Sequence, residues 1–93
     1  MNYQVIVKSG AEFDLLEITK WYESKSEGLG KRFLLDFESK LSIIQKNPYL
    51  YQIKYKAVRL GFLKSFPVAV HFTIEEDTIF VHAVLGTYRD PKI

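Results

Sequence analysis

The last third of the chain constrains the fold most. Between Phe66 and Leu85 the apolar residues alternate twice, first as Val68, Val70, Phe72 and Ile74, then as Ile79, Val81, Ala83 and Leu85. A period of two marks a strand with one buried face. An acidic turn at Glu76-Asp77 separates the two runs, so they read as a β-hairpin. Upstream, Val58, Leu60 and Phe62 alternate with Ala57, Arg59 and Gly61, which marks another strand. The short run from Tyr3 to Lys8 is rich in β-branched residues and is a further strand candidate. A sheet with one apolar face needs a second layer to cover it.

The remaining sequence supplies that layer. Ala11, Leu15, Ile18 and Tyr22 recur at helical spacing, with Leu16 on the flank, so a helix is expected from about Gly10 to about Ser26. Ser9 and Glu12 have the spacing of a capping box at its start. Gly28-Leu29-Gly30 interrupts the pattern. A second helix then carries Phe33, Phe37, Leu41 and Ile44 on one stripe, with Leu34 beside it. Asn47-Pro48 ends it, because a residue before proline avoids helical dihedrals. The expected order is β-α-α-β-β-β. This is an α+β fold with a helical hairpin on one face of a mainly antiparallel four-stranded sheet, in a single domain over residues 1–93. Tyr49 to Tyr55 reads as irregular, and the pairing partner of the first strand is left open.

Burial selects the strand register, since a slip of one residue turns every side chain over. With Glu76-Asp77 as a two-residue loop, Ile74 faces Ile79, Phe72 faces Val81, Val70 faces Ala83 and Val68 faces Leu85. On the reverse face His71 then lies across from His82, and Thr73 across from Phe80. With Leu63-Lys64-Ser65 as the preceding loop, Leu60 pairs with Val68, and Arg59 falls opposite Ala69, diagonal to His71. Both histidines and one arginine are thereby expected together on the face away from the helices.

Charge is distributed unevenly. The net charge is only +2, yet residues 39–74 contain no acid while holding Lys40, Lys46, Lys54, Lys56, Arg59 and Lys64. A basic surface that can hold another macromolecule is the reading. Cysteine is absent, which removes disulfides, thiolate catalysis and cysteine-based metal sites. No carboxylate cluster has metal-ligand spacing, so neither metal nor cofactor is expected. No apolar stretch approaches the roughly 20 residues that cross a bilayer. The opening MNYQVIVKSG lacks the apolar run of a secretory signal. These features lead to the expectation of a cytoplasmic protein with no membrane association.

Several pieces in this order resemble the RelE/ParE superfamily, the toxins of bacterial type II toxin–antitoxin and plasmid-stabilisation systems. They are Gly28-Leu29-Gly30 with Arg32-Phe33-Leu34, the Asn47-Pro48 stop, the strand region VRLGFLKSFPVAVHFTIEED, and the ending VLGTYRDP from Val84 to Pro91. The resemblance spans essentially the whole chain. It implies a growth-inhibiting toxin, neutralised by a cognate antitoxin that wraps it, with higher-order toxin–antitoxin complexes possible in principle. It implies a target as well: DNA gyrase for a ParE-like inhibitor, or the ribosome and its mRNA for a RelE-like endonuclease. Two departures count against the nuclease set. Pro67 stands where such nucleases carry a strand arginine, and Gly86 stands where the family tail often has histidine.

Metal-independent RNA cleavage needs a base for the 2′-hydroxyl, an acid for the leaving oxygen and a cation at the phosphate. His71 and His82 suit the first two roles, and Arg59 and Arg89 suit the third. The plainer account is that the histidines belong to an ordinary amphipathic surface and the arginines to solvated edges. Lys54, Lys56 and Lys64 are candidate contacts to a target or nucleic acid, and Tyr88 is a candidate for stacking on a base. The tyrosines of the YLYQIKY stretch, Tyr49 to Tyr55, are expected to cap the end of the sheet rather than to face RNA. With an incomplete acid–base set, the favoured reading is a toxin that acts by binding, and the nuclease is the alternative.

Overall fold

The computed structural model of the chain describes residues 3–87. Strand β1 (Gln4–Val7) leads into helix α1 (Ser9–Lys25) and helix α2 (Leu29–Lys46). A short 3-10 turn (Pro48–Leu50) follows, then β2 (Ile53–Tyr55), β3 (Val58–Phe62), β4 (Val68–Glu75) and β5 (Thr78–Gly86). The α+β architecture is as expected. The sheet has five strands rather than four, in the order β1-β5-β4-β3-β2. The additional strand is Ile53–Tyr55, three exposed residues that carry no burial pattern from which to read a strand. The first strand runs parallel to the last, with Val5 beside Ile79 and Val7 beside Val81. The other pairings are antiparallel.

The core lies between the helical hairpin and one face of the sheet. It contains Ala11, Phe33, Phe37 and Ile44 from the helices, Val68, Val70 and Phe72 from β4, and Ile79, Val81 and Val84 from β5. Each large side chain fully buried there contributes about 1.5–3 kcal/mol. An aromatic group closes one end: Phe66 stands 4.8 Å from Tyr22 and 5.6 Å from Phe33, ring centre to ring centre. The helical stripes were legible, and both end where their breakers stand. The capping box is not formed: α1 begins at Ser9 itself, and Lys8 caps it without a side-chain bond.

The turn between the helices is closed by a carboxylate. Glu23 accepts N–H bonds from Gly28 and Gly30, each at 2.9 Å. These two bonds hold its carboxyl below the ordinary range. Gly28 adopts φ 86°, which glycine takes without steric cost. Gly30 serves close approach. A Cβ there would lie 2.8 Å from the Thr19 carbonyl oxygen, so α2 meets α1 backbone to backbone at this point.

Two register expectations fail, for separate reasons. Between β3 and β4, Arg59 pairs with Phe72, Leu60 with His71, Gly61 with Val70 and Phe62 with Ala69. This is an odd shift from the expected pairing, so β3 is turned over. Gly61 faces the core, where Ile44 fills the space a Cβ would take, its Cδ1 only 2.7 Å from that position. The connection is longer than expected because Leu63 stays in the ladder, its N–H bonded to Val68 O at 2.9 Å, while Phe66 folds into the aromatic group. Ser65 N also bonds Asp36 at 2.8 Å, fixing the loop to α2. Between β4 and β5 the expected pairing holds from the turn to Phe72↔Val81. A bulge then follows, after which His71 pairs with Ala83, Val70 with Val84 and Val68 with Gly86.

Gly30→Ala is expected to destabilise the fold by about 1–3 kcal/mol, because the added methyl meets backbone that cannot give way. Thermal unfolding should show a lower midpoint for Gly30→Ala and an unchanged one for the exposed control Lys31→Ala.

Candidate functional site: the open face of the sheet

The hairpin covers one face of the sheet and leaves the other open. Because paired residues share a face, that side carries Ile6 of β1, Leu60 and Phe62 of β3, His71 and Thr73 of β4, and Phe80, His82 and Leu85 of β5. Ile6, Phe62 and Leu85 are exposed. A polar band crosses the strands between them. Tyr55 Oη lies 3.1 Å from His71 Nδ1, and Thr73 Oγ1 lies 2.8 Å from His82 Nε2. Lys8 at the far edge places its Nζ 5.7 Å from the centre of the Phe80 ring.

The two histidines therefore do share the open face, but not as a facing pair. The bulge places Ala83 opposite His71 and makes His82 the inserted residue. A bulge of this kind turns two successive side chains to one side of the sheet. His82 consequently bonds Thr73 rather than meeting His71. The half-buried imidazole of His71 has its pKa lowered from 6.5 by desolvation, and the Asp14 carboxylate opposes this in part. A hydroxyl partner and a preference for the neutral form leave His71 an uncharged imidazole that can accept a proton.

Asp14 is an unforeseen participant. It sits on α1, on the helix side, and its Oδ2 accepts the Val84 N–H at 2.9 Å, directly after the bulge. Strand β1 supplies the outer partner of β5 only as far as Val81, whose carbonyl accepts the Lys8 N–H. Beyond that point the Asp14 carboxylate replaces the missing strand.

The cations do not gather where expected. Arg59 faces the helix side, opposite the side that bears the histidines, because β3 is turned over. Its guanidinium lies 5.0 Å from the Tyr49 ring centre and donates from Nη1 to the Tyr51 carbonyl at 2.6 Å. This is an anchor for the segment between α2 and β2. Lys54 and Lys56 are exposed at one end of β3, Lys56 in a turn with φ 50°. Lys64 is exposed beyond the other end, beside Lys40 and Asp36. Eight residues of nearly extended chain put Lys56 and Lys64 roughly 25 Å apart, so no single patch holds all three. The sheet-end cap is formed only by Tyr51, whose ring packs 5.8 Å from Phe72. Tyr49 and Tyr55 are exposed. Tyr88 and Arg89 lie outside the described residues. Among the described residues no group of three or more metal-ligating side chains occurs, and no helix is long and apolar enough to cross a membrane.

A second exposed surface lies on α1. Phe13 and Leu16 point away from the core at 62% and 55% exposure. Further along the helix, Ile18, Trp21 and Tyr22 line an apolar hollow of about 230 Å³ with Pro67, Val68 and Gly86. Tyr22 also packs on Phe33, and Trp21 carries Lys25 over its ring at 4.8 Å. Of the residues sequence reasoning missed, Thr73 was visible in the alternation of β4, and Tyr55 required β2 to be seen. Asp14 had no local signal, since it looked like part of a solvated helix face.

These elements define a two-layer α+β domain: a helical hairpin on a mixed sheet, with an open face bearing two histidines. The same fold occurs in a solved structure described as the chromosomal ParDE toxin–antitoxin system from P. aeruginosa. A chain of that structure superimposes with a TM-score of 0.80 at 15% sequence identity, over 92% of this chain and 97% of that one. No family model matches the sequence, and no curated protein matches it.

Two measurements test the site. Folding favours neutral His71, so the native state binds fewer protons than the unfolded chain. The His71 contribution is therefore present above pH 6.5 and is lost as the pH falls through that value toward the lowered native one. Denaturant midpoints measured from pH 8 to pH 5 should fall, and the fall should be shallower in His71→Leu. Arg59→Ala should destabilise by about 1–3 kcal/mol through loss of a charged hydrogen bond and a ring contact. Arg59→Lys should not restore stability, because it lacks the planar fork that meets both partners.

Proposed function

We propose that this protein is the toxin of a type II toxin–antitoxin pair, acting in a bacterial cytoplasm by binding a macromolecular target, with DNA gyrase the favoured one. One observation carries the reading. The whole described architecture matches a chain of a toxin–antitoxin structure over nearly the full length of both. The binding mode of action is supported by the position of Arg59. Its guanidinium is engaged by Tyr51 and Tyr49 on the helix side, so among the described residues the open face has no arginine for phosphate chemistry. The partner is a cognate antitoxin. The exposed Phe13 and Leu16 of α1, with the hollow beside Trp21, suit the apolar face of an amphipathic helix.

A second reading is favoured by the open face itself. His71 with Tyr55 and His82 with Thr73 are two imidazoles on one accessible surface. In a ribosome-dependent mRNA endonuclease, one would take the 2′-hydroxyl proton and the other would protonate the departing 5′-oxygen.

Tightly induced expression of the chain alone, followed by mapping of transcript 5′ ends and a DNA supercoiling assay, separates the readings. Growth arrest with loss of gyrase supercoiling and no new ends is the expected result. New ends confined to translated regions would install the nuclease reading, and absence of arrest would remove the toxin reading. Phe13→Lys with Leu16→Lys should leave arrest intact while abolishing rescue by the antitoxin encoded beside the gene.

A further inference from the structure

We propose that Asp14 is a positioning residue for the open face: from the helix side it holds the β5 bulge that brings His82 against Thr73. The observations come from both faces of the sheet. The inserted residue of the bulge is His82, and the first N–H after the bulge that looks away from β4 is that of Val84. Strand β1 has already ended, so this donor would be left without a strand partner at a buried position. The Asp14 Oδ2 accepts it at 2.9 Å. A carboxylate acceptor makes a stronger bond than the carbonyl it replaces. The first turn of α1 abuts the same spot, with the Gly10 Cβ position 3.6 Å from the His82 carbonyl oxygen. A continued β1 would impose ordinary pairing on β5, whereas a helix-borne carboxylate takes a single N–H and leaves the bulge in place.

The consequence reaches the reverse side. In unbulged pairing Ala83 would face the core opposite Val70, and His82 would lie across from His71. With the bulge, Val84 enters the core and His82 turns to Thr73. Asp14 neighbours Phe13 on α1, so the helix surface that the proposed antitoxin would cover is tied through one side chain to the histidine-bearing face. Occupancy of α1 is thereby felt at His82 without steric overlap. This last step rests on the toxin reading, while the positioning role does not.

The experiment is NMR on the isotopically labelled full chain, with the His71 and His82 rings and the Val84 amide as reporters. In the wild type, the Val84 amide proton should move on acidification, since its acceptor is a carboxylate. Asp14→Asn keeps an acceptor oxygen and loses the charge. It should leave the His82 ring signals in place and shift the His71 titration midpoint further down. Asp14→Ala should displace both the His82 ring and the Val84 amide while the core amides of Val70 and Ile79 stay put. A Val84 amide blind to acid pH in the wild type would overturn the proposal, as would an undisturbed His82 in folded Asp14→Ala. The wild-type titration decides the matter even where Asp14→Ala does not fold. Failure of the chain to arrest growth would remove the toxin reading and leave the NMR outcome untouched.

Discussion

The distance between the two layers is set where Ile44 rests on Gly61. A side chain at that position of β3 would hold α2 off the sheet, and its absence lets the helix descend onto the strand. Gly30 does the same between the helices, where the Thr19 carbonyl occupies the space a side chain would need. These two contacts fix α2 relative to the sheet and to α1. The positions of Phe33 and Phe37 in the core follow from them. The orientation of β3 follows too, since only the face that carries Gly61 can receive Ile44, and Arg59 on the same face is thereby committed to the helix side.

The layers were legible in the sequence because each rests on a repeated pattern. The stripe Phe33, Phe37, Leu41, Ile44 and the alternation of β4 are many-residue signals, and both appear in the core as read. What failed was phase, which single contacts decide. Gly61 reads as a weak strand residue, yet it selects the face. Phe66 reads as a strand start, yet its ring belongs to the group with Tyr22 and Phe33, and the loop lengthens to allow it. The β5 bulge depends on a bond between residues 14 and 84, which no window of sequence contains. The site inherited these errors. His71 and His82 reach the expected face, but Arg59 does not, and the lysines divide between opposite ends of β3.

Two exposed surfaces differ in chemistry. The outer side of α1 carries the exposed Phe13, Leu16 and Trp21 among charged residues, and the open face of the sheet is a polar band between apolar margins. The single hydrogen bond from Val84 to Asp14 runs between them.

The parallel pairing of β1 with β5 joins the first strand of the sheet to the last one made. Val5 cannot meet Ile79 until the last strand has been made. During synthesis the helical hairpin can assemble early from local contacts, but the strand that precedes it stays unpaired, because long-range pairing is the slow part of folding. A nascent or truncated chain lacking β5 has neither the strand that joins β1 to β4 nor the histidine carried on it. The open face comes into being only once β5 has been added, so a chain stopped short of β5 has no complete surface to present.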